Sequence, residues 1–196
     1  MDSNELKKAR ALVSLVTQHV KTNQVTIAEI GVYLGFNATH LLKALVKQNY
    51  DVTYYGFDLF EDVTKYNLKQ TNPGVYNDIV LQNKVHLMSV GQIANQLNNI
   101  GAKVTLIRGD TKATIPKCAT ELKDCDFFYI DGGHDYASVK ADWDNINRIA
   151  KGGSMIVFDD CNKYATGICK LVREVEQDLG VRAGSAYGSR KYFVKQ

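Results

Sequence analysis

The sequence predicts an α/β fold: a doubly wound, mostly parallel sheet with helices on both faces. Three observations predict it. Short apolar runs rich in β-branched and aromatic residues recur at residues 25–32, 52–59, 103–108, 127–131 and 155–159, as buried strands do. Between them lie stretches whose apolar residues repeat at helical spacing, and strands that alternate with helices pair in parallel through crossover connections. Finally, residues 181–186 and 191–194 flank Tyr187-Gly188-Ser189-Arg190, which reads as two strands joined by a turn, an antiparallel addition to the sheet.

Each element has its own signal. Residues 6–20 form an opening helix within an N-terminal segment, residues 1–22, ahead of the first strand. Asn37 caps a helix that carries Leu41, Leu42, Leu45 and Val46. After the second strand, residues 61–84 break the rhythm: they are polar, rich in Asn, Lys and Tyr, and contain an Asn72-Pro73-Gly74 turn. A long irregular insert in a compact domain is a candidate substrate lid. Ser89 caps a helix with Val90, Ile93, Leu97 and Ile100, stopped by Gly101. Val139, Trp143, Ile146 and Ile149 mark the next helical face, stopped by Lys151-Gly152-Gly153. Ile168, Leu171, Val172, Val175 and Leu179 mark the last, stopped by Gly180.

The chain has 196 residues, the size of a single domain spanning 1–196. It is 45% hydrophobic and 23% charged, which excludes a disordered chain. The net charge of +3 is scattered, so there is no basic stripe for nucleic acid. No apolar run reaches the roughly 18 residues that span a bilayer, which predicts no membrane segment. The start, Met1-Asp2-Ser3-Asn4-Glu5, is polar and acidic, unlike a signal peptide. Cys118, Cys125, Cys161 and Cys169 show neither a CxxC pair nor zinc spacing, and read as reduced thiols of a cytoplasmic protein. On that reading the sequon Asn37-Ala38-Thr39 is not used.

In a parallel sheet, ligands bind at the carboxyl ends of the strands. The first strand runs into Glu29-Ile30-Gly31-Val32-Tyr33-Leu34-Gly35. A dinucleotide fingerprint, G-x-G-x-x-G, would need glycines where Tyr33 and Phe36 stand. Tyr33 restricts the approach of a pyrophosphate, and Glu29 would repel one. S-adenosylmethionine (SAM) carries an ammonium and a sulfonium instead of phosphates, so a carboxylate followed by Gly31 and Gly35 suits it better. Asp58, with Leu59 after it, ends the second strand where an acid can accept from both ribose hydroxyls. Arg108-Gly109-Asp110-Thr111 ends the third, where Asp110 is placed for the adenine amino group and Gly109 leaves room for the ring.

The next two strand ends carry the chemistry. Ile130-Asp131-Gly132-Gly133-His134-Asp135-Tyr136 follows one strand and Phe158-Asp159-Asp160 closes its neighbour. Asp131, Asp159 and Asp160 would gather at one edge, and such carboxylates repel unless a cation sits between them. A hard divalent ion is the natural filler, with Mg²⁺ the default and Ca²⁺ or Mn²⁺ open alternatives. It would lower the pKa of a substrate hydroxyl, and His134 is placed to take the proton. His19, His40 and His86 have no such partners and read as structural. Trp143 reads as core, and Cys161 has no base beside it that would make it a nucleophile.

These residues resemble the class I SAM-dependent methyltransferases, and most of all the small metal-dependent O-methyltransferases of the catechol and caffeoyl-CoA type and of the macrocin-type sugar enzymes. The resemblance runs from about Val25 to Phe193. It rests on the Glu29–Gly35 motif, Asp58, the I-D-G-x-H-x-Y-like segment from Ile130 to Tyr136, and Gly152-Gly153 followed by Phe158-Asp159-Asp160. It implies a Rossmann-like sheet of about seven strands with the last antiparallel, SAM as cofactor, and metal ligation by Asp131, Asp159 and Asp160. In catechol-type enzymes a lysine three residues past the first metal aspartate is the base, and here that position is His134. Macrocin-type enzymes have an acid two residues past it, and here that position is Gly133. The expected activity is O-methylation of a small hydroxylated acceptor, a sugar or a vicinal diol. A metal-independent N- or O-methyltransferase and a non-catalytic SAM-binding module remain alternatives. The acceptor pocket would come from the insert, the N-terminal helix, the loop after Asp160 or a second subunit of a homodimer.

Overall fold

The computed structural model describes residues 3–60, 89–162, 164 and 166–196. The predicted lid at 61–84, its Asn72-Pro73-Gly74 turn and His86 lie outside the described residues.

Helix α1 (Ser3–His19) leads into β1 (Gln24–Ile30), α2 (Phe36–Lys47) and β2 (Asp51–Asp58). Then come α3 (Val90–Asn98), β3 (Lys103–Arg108), the short helices α4 (Thr111–Lys117) and α5 (Ala119–Leu122), and β4 (Phe127–Ile130). Helix α6 (Tyr136–Ile149), β5 (Met155–Phe158), α7 (Thr166–Leu179), β6 (Gly184–Ala186) and β7 (Arg190–Val194) complete the order. The seven strands lie in the order β3-β2-β1-β4-β5-β7-β6. Pairing is parallel from β3 through β5, while β7 runs antiparallel to both β5 and β6. The predicted fold class therefore holds, including the antiparallel last strand.

The sheet has a core on each face. On one, Leu12 and Val16 of α1, Leu41, Leu42 and Leu45 of α2, and Ile93 and Leu97 of α3 pack on Ile27, Tyr54 and Val157. On the other, Val139, Trp143 and Ile146 of α6 and Ile168, Leu171 and Val172 of α7 pack on Ala28, Phe128, Ile156 and Phe158. Strands β4 and β5 are buried at every position, as inner strands covered on both faces must be. Each such large apolar side chain contributes about 1.5–3 kcal/mol on burial. Among the described residues, no helix is long and apolar enough to cross a membrane.

Several local expectations need correction. Asn37 is not a cap: Gly35 takes the N-cap position in the left-handed region (φ 73°), and α2 starts at Phe36. The apolar run at 25–32 stays a strand only to Ile30, because Gly31 (φ 89°) turns the chain. Helices α4 and α5 gave no periodic signal because each is short and buries a single residue, Ile115 and Leu122 respectively. Arg190, read as a turn residue, is the first residue of β7 and is fully buried. Ser89 does cap α3, in a full capping box with Gln92.

Candidate active site

The carboxyl ends of β1, β4 and β5 meet at the middle of the sheet. The β1–α2 turn lies directly on the end of β4: a Cβ at Gly31 would come within 2.1 Å of the Asp131 carbonyl oxygen. Only glycine fits there. The turn is tied down by Gly31 N–H to Phe57 O (2.8 Å) and Asp131 N–H to Ile30 O (2.8 Å). Beside it, the Asp58 carboxylate accepts from the backbone N–H of Tyr33 (2.7 Å) and of Phe60 (2.7 Å), one on each oxygen. Each oxygen keeps a lone pair. Tyr33 sits at φ 51° and is 47% exposed. Leu59 is half-buried next to Asp58.

At the end of β3, Gly109 (φ 134°) donates to Asp58 O at 2.9 Å, which brings the β2 and β3 ends together. Asp110 caps α4, accepting from Lys112 N–H at 2.9 Å. Thr111 opens that helix and hydrogen-bonds Asp142, a buried acid on α6 whose pKa burial pushes up to about 6.

Glu29 does not face open solvent. It is 2% exposed, accepts from the Tyr54 hydroxyl through Oε2, and has no partner for Oε1 among the described residues. Burial pushes its pKa up to about 8, so the neutral acid dominates at pH 7 where the sequence implied a charged carboxylate. Asn37 donates from Nδ2 to Asp131 Oδ2 at 3.3 Å, and its Oδ1 is likewise buried without a donor.

The three predicted metal aspartates are neighbours but are engaged differently. Asp131 and Asp160 come together with His134: one donor atom from each lies within 4.8 Å of the others. His134 Nε2 is 3.9 Å from Asp160 Oδ2. Asp160 holds a left-handed backbone (φ 51°), which asparagine and aspartate tolerate better than other side chains. Asp159 lies beside them, with the Tyr129 hydroxyl bridging Asp131 Oδ2 (3.1 Å) and Asp159 Oδ2. Its Oδ2 accepts from the Tyr129 hydroxyl and from Arg190 Nη2 (3.0 Å), and its Oδ1 from Asp160 N–H (2.8 Å). Arg190 also donates to Tyr129 Oη (3.0 Å) and, through Nη1, to Lys8 O of α1 (2.6 Å). Burial and the neighbouring carboxylates of Asp159, Glu29 and Asp160 hold the Asp131 carboxyl well above its ordinary range.

Outside this cluster, Asp135 caps α6 by accepting from Ser138 N–H at 3.0 Å. A Cβ at Gly167 would meet Tyr136 N at 2.5 Å and His134 O at 2.7 Å, so the first turn of α7 presses on the loop that carries His134. An open groove of about 830 Å³ runs from His134 along α7, past Tyr136, Tyr164, Lys170, Arg173 and Glu174. Tyr136 donates to Glu174 at 2.5 Å, and Lys170 Nζ lies 4.0 Å over the Tyr136 ring. His19 and His40 bond to the backbone oxygens of Gly153 and Phe36, as structural histidines do. Burial and Cys169 push the Cys161 thiol up to about 12, so it is no nucleophile at neutral pH.

Sequence reading missed Tyr129, Arg190 and the inward role of Asn37. An arginine at the start of a run as apolar as Tyr192-Phe193-Val194 was the available signal for Arg190.

A methyltransferase domain family model matches residues 28–161, from β1 to the loop after β5. The chain belongs to the methyltransferase domain family. It is a SAM-dependent methyltransferase, as the strand-end motifs led one to expect. Comparison with curated protein sequences finds no significant match. Among solved structures, this methyltransferase is similar to the O-methyltransferase NovP, with a TM-score of 0.69, 17% identity, and 98% of this chain and 80% of that chain covered. It is also similar to the calicheamicin methyltransferase CalS11, with a TM-score of 0.67, 19% identity, and coverage of 97% and 78%. MycE from the mycinamycin biosynthetic pathway, in complex with Mg and SAH, aligns with a TM-score of 0.56, 13% identity, and coverage of 97% and 54%. These likenesses establish the fold.

Proposed function

We propose that the protein transfers the methyl group of SAM to a hydroxyl oxygen of a small acceptor, a sugar or a vicinal diol, with a divalent cation at the cluster of Asp131, His134 and Asp160. The observation that carries this reading is that cluster, set against the turn at Gly31. The names of NovP, an O-methyltransferase, and of MycE, held with Mg and SAH, support it by analogy of fold.

The residues fit SAM. Asp58 keeps a lone pair on each oxygen for the two ribose hydroxyls. Among the described residues Asn37 Oδ1 and Glu29 Oε1 are buried without a partner; an ammonium would supply donors to Asn37 Oδ1 and favour the ionised form of Glu29. Gly31, Tyr33 and Gly35 would hold the methionine, Leu59 the ribose, and Gly109, Asp110 and Thr111 the adenine. When bound, SAM supplies an electrophilic methyl carbon, and a cation lowers the pKa of the acceptor hydroxyl. Asp131 and Asp160 hold that charge. The groove beyond His134 receives the acceptor and aligns its oxygen, and alignment is most of what a displacement at methyl carbon requires. His134 stands between cluster and groove, placed to complete the donor set or to take the hydroxyl proton.

A second reading keeps SAM and omits the cation. Its support is that Arg190 lies on Asp159 and Lys8 Nζ lies 3.9 Å from Asp160, so side chains already bring positive charge to these carboxylates. The test is calorimetric titration of SAM, followed by turnover of catechol and sugar acceptors with and without a chelator. The first reading predicts SAM binding that Asp58→Ala weakens, and turnover that the chelator abolishes and Mg²⁺ or Mn²⁺ restores. Turnover indifferent to the chelator selects the second. Absence of SAM binding defeats both.

A further inference from the structure

The loop after β5 and the first turn of α7 bring two cysteines together. Cys161 follows Asp160, and Cys169 stands in that first turn. Their side chains hydrogen-bond to each other, and Cys169 Sγ also donates to Asn162 O at 3.5 Å. Both ends are fixed. Cys161 N–H donates to Ser189 O at 3.0 Å, which ties the loop to the turn before β7, and Ile168, Leu171 and Val172 seat α7 in the core. Both thiols are half-buried, within reach of a small reagent, whereas Cys125 is buried. The chain between Cys161 and Cys169 is short, so closing it into a ring costs little entropy.

We propose that Cys161 and Cys169 form a reversible disulfide on exposure to hydrogen peroxide, and that this bond staples the loop after β5 to α7 and slows the enzyme. The sulfur of Cys169 attacks one peroxide oxygen, the O–O bond breaks, and the departing hydroxide takes the thiol proton as water. The sulfur of Cys161 then displaces hydroxide from the resulting sulfenic acid, and its own proton leaves with that hydroxide as a second water. The two thiols lose two electrons and the peroxide gains them. A covalent S–S bond is shorter than a contact between two thiols, so the first turn of α7 must shift toward the loop. Gly167 in that turn has no spare room against His134 O and Tyr136 N, so the shift passes to the segment that carries His134. Gly167, Lys170 and Arg173, around Cys169, line one wall of the groove, and His134 and Tyr136 line another. The disulfide is read from the thiols alone; its effect on turnover rests on the reading above, in which the groove receives the acceptor.

The test treats the whole reduced chain with hydrogen peroxide, counts its thiols and maps its unreduced peptides by mass spectrometry. Wild type should lose two of its four thiols, show a Cys161–Cys169 linkage and recover fully with dithiothreitol. Cys118→Ser should still form the linkage. Cys161→Ser should instead hold a sulfenic acid at Cys169 that dimedone traps. Four thiols retained, a linkage through Cys118, or thiols lost without a Cys161–Cys169 peptide would each overturn the proposal. The oxidised chain should keep SAM affinity within about threefold, because the SAM motifs lie apart from the staple. Its turnover of catechol and sugar acceptors should fall at least about tenfold and return with dithiothreitol, and Cys169→Ser should not respond to peroxide. An oxidised chain as active as the reduced one overturns the effect on the groove. If neither form binds SAM, the reading of the site fails, while the peptide map decides the disulfide independently.

Discussion

Arg190 is the residue whose loss should be felt most. It has no exposed surface and bonds to Asp159, Tyr129 and the Lys8 carbonyl oxygen. Removing one member of a buried pair leaves a charge without compensation, so Arg190→Gln should cost about 3–5 kcal/mol in urea unfolding. Adding Asp159→Asn to that variant should recover part of the loss. Glu29 carries a second prediction, for pH. Folding raises its pKa from 4.5 to about 8, so between those values the native state keeps a proton that the unfolded chain has released. Its contribution to stability is therefore largest below the unfolded value and falls as pH rises through that window. Glu29→Gln removes the fall, and its stability relative to wild type should climb by roughly 3–5 kcal/mol in total across the window, measured by urea titration at a series of pH values. Asp58, Asp131, His134 and Asp160 were visible in the sequence because strand ends are where a parallel sheet presents ligands. The partition between Asp159 and Asp160 was not visible, because it is set by Arg190, 31 residues further along.

At the scale of elements, helices and strands with strong periodicity were legible and their ends less so. Strand β3 matches its expected bounds, Lys103–Arg108, and Ser89 caps α3 as read. Asn37 was misread for a physical reason: asparagine is a good cap, but the left-handed Gly35 already starts the helix, which frees the Asn37 amide to reach Asp131. The cap at Ser89 gives a simple check: Ser89→Ala should lower stability by about 1 kcal/mol and leave SAM binding unchanged. The β1–α2 turn should behave oppositely. Gly31→Ala places a methyl group against the Asp131 carbonyl oxygen and holds alanine at positive φ. A stability loss of about 1–3 kcal/mol is expected, together with a loss of SAM affinity, both measurable on one preparation by unfolding and calorimetry.

For the whole molecule, the two cores share one sheet, so each buries the other's strands. Trp143, the single tryptophan, packs against Phe158 and Phe193 at centroid distances of 5.7 and 6.2 Å and reports on the β5–α6–β7 side. Its fluorescence should change at the same denaturant concentration as the far-ultraviolet helix signal. Separate midpoints would show that one face loosens alone. The antiparallel placement of β7 beside β5 brings a residue late in the chain back to the site. Strands β1, β4 and β5 all precede Arg190 in the chain, so their carboxylates are synthesised before the guanidinium that pairs with Asp159. The same residue fastens α1 through the Lys8 carbonyl. A chain that stops before residue 190 has the acids of the site but lacks the guanidinium that pairs with Asp159 and the clasp on helix α1.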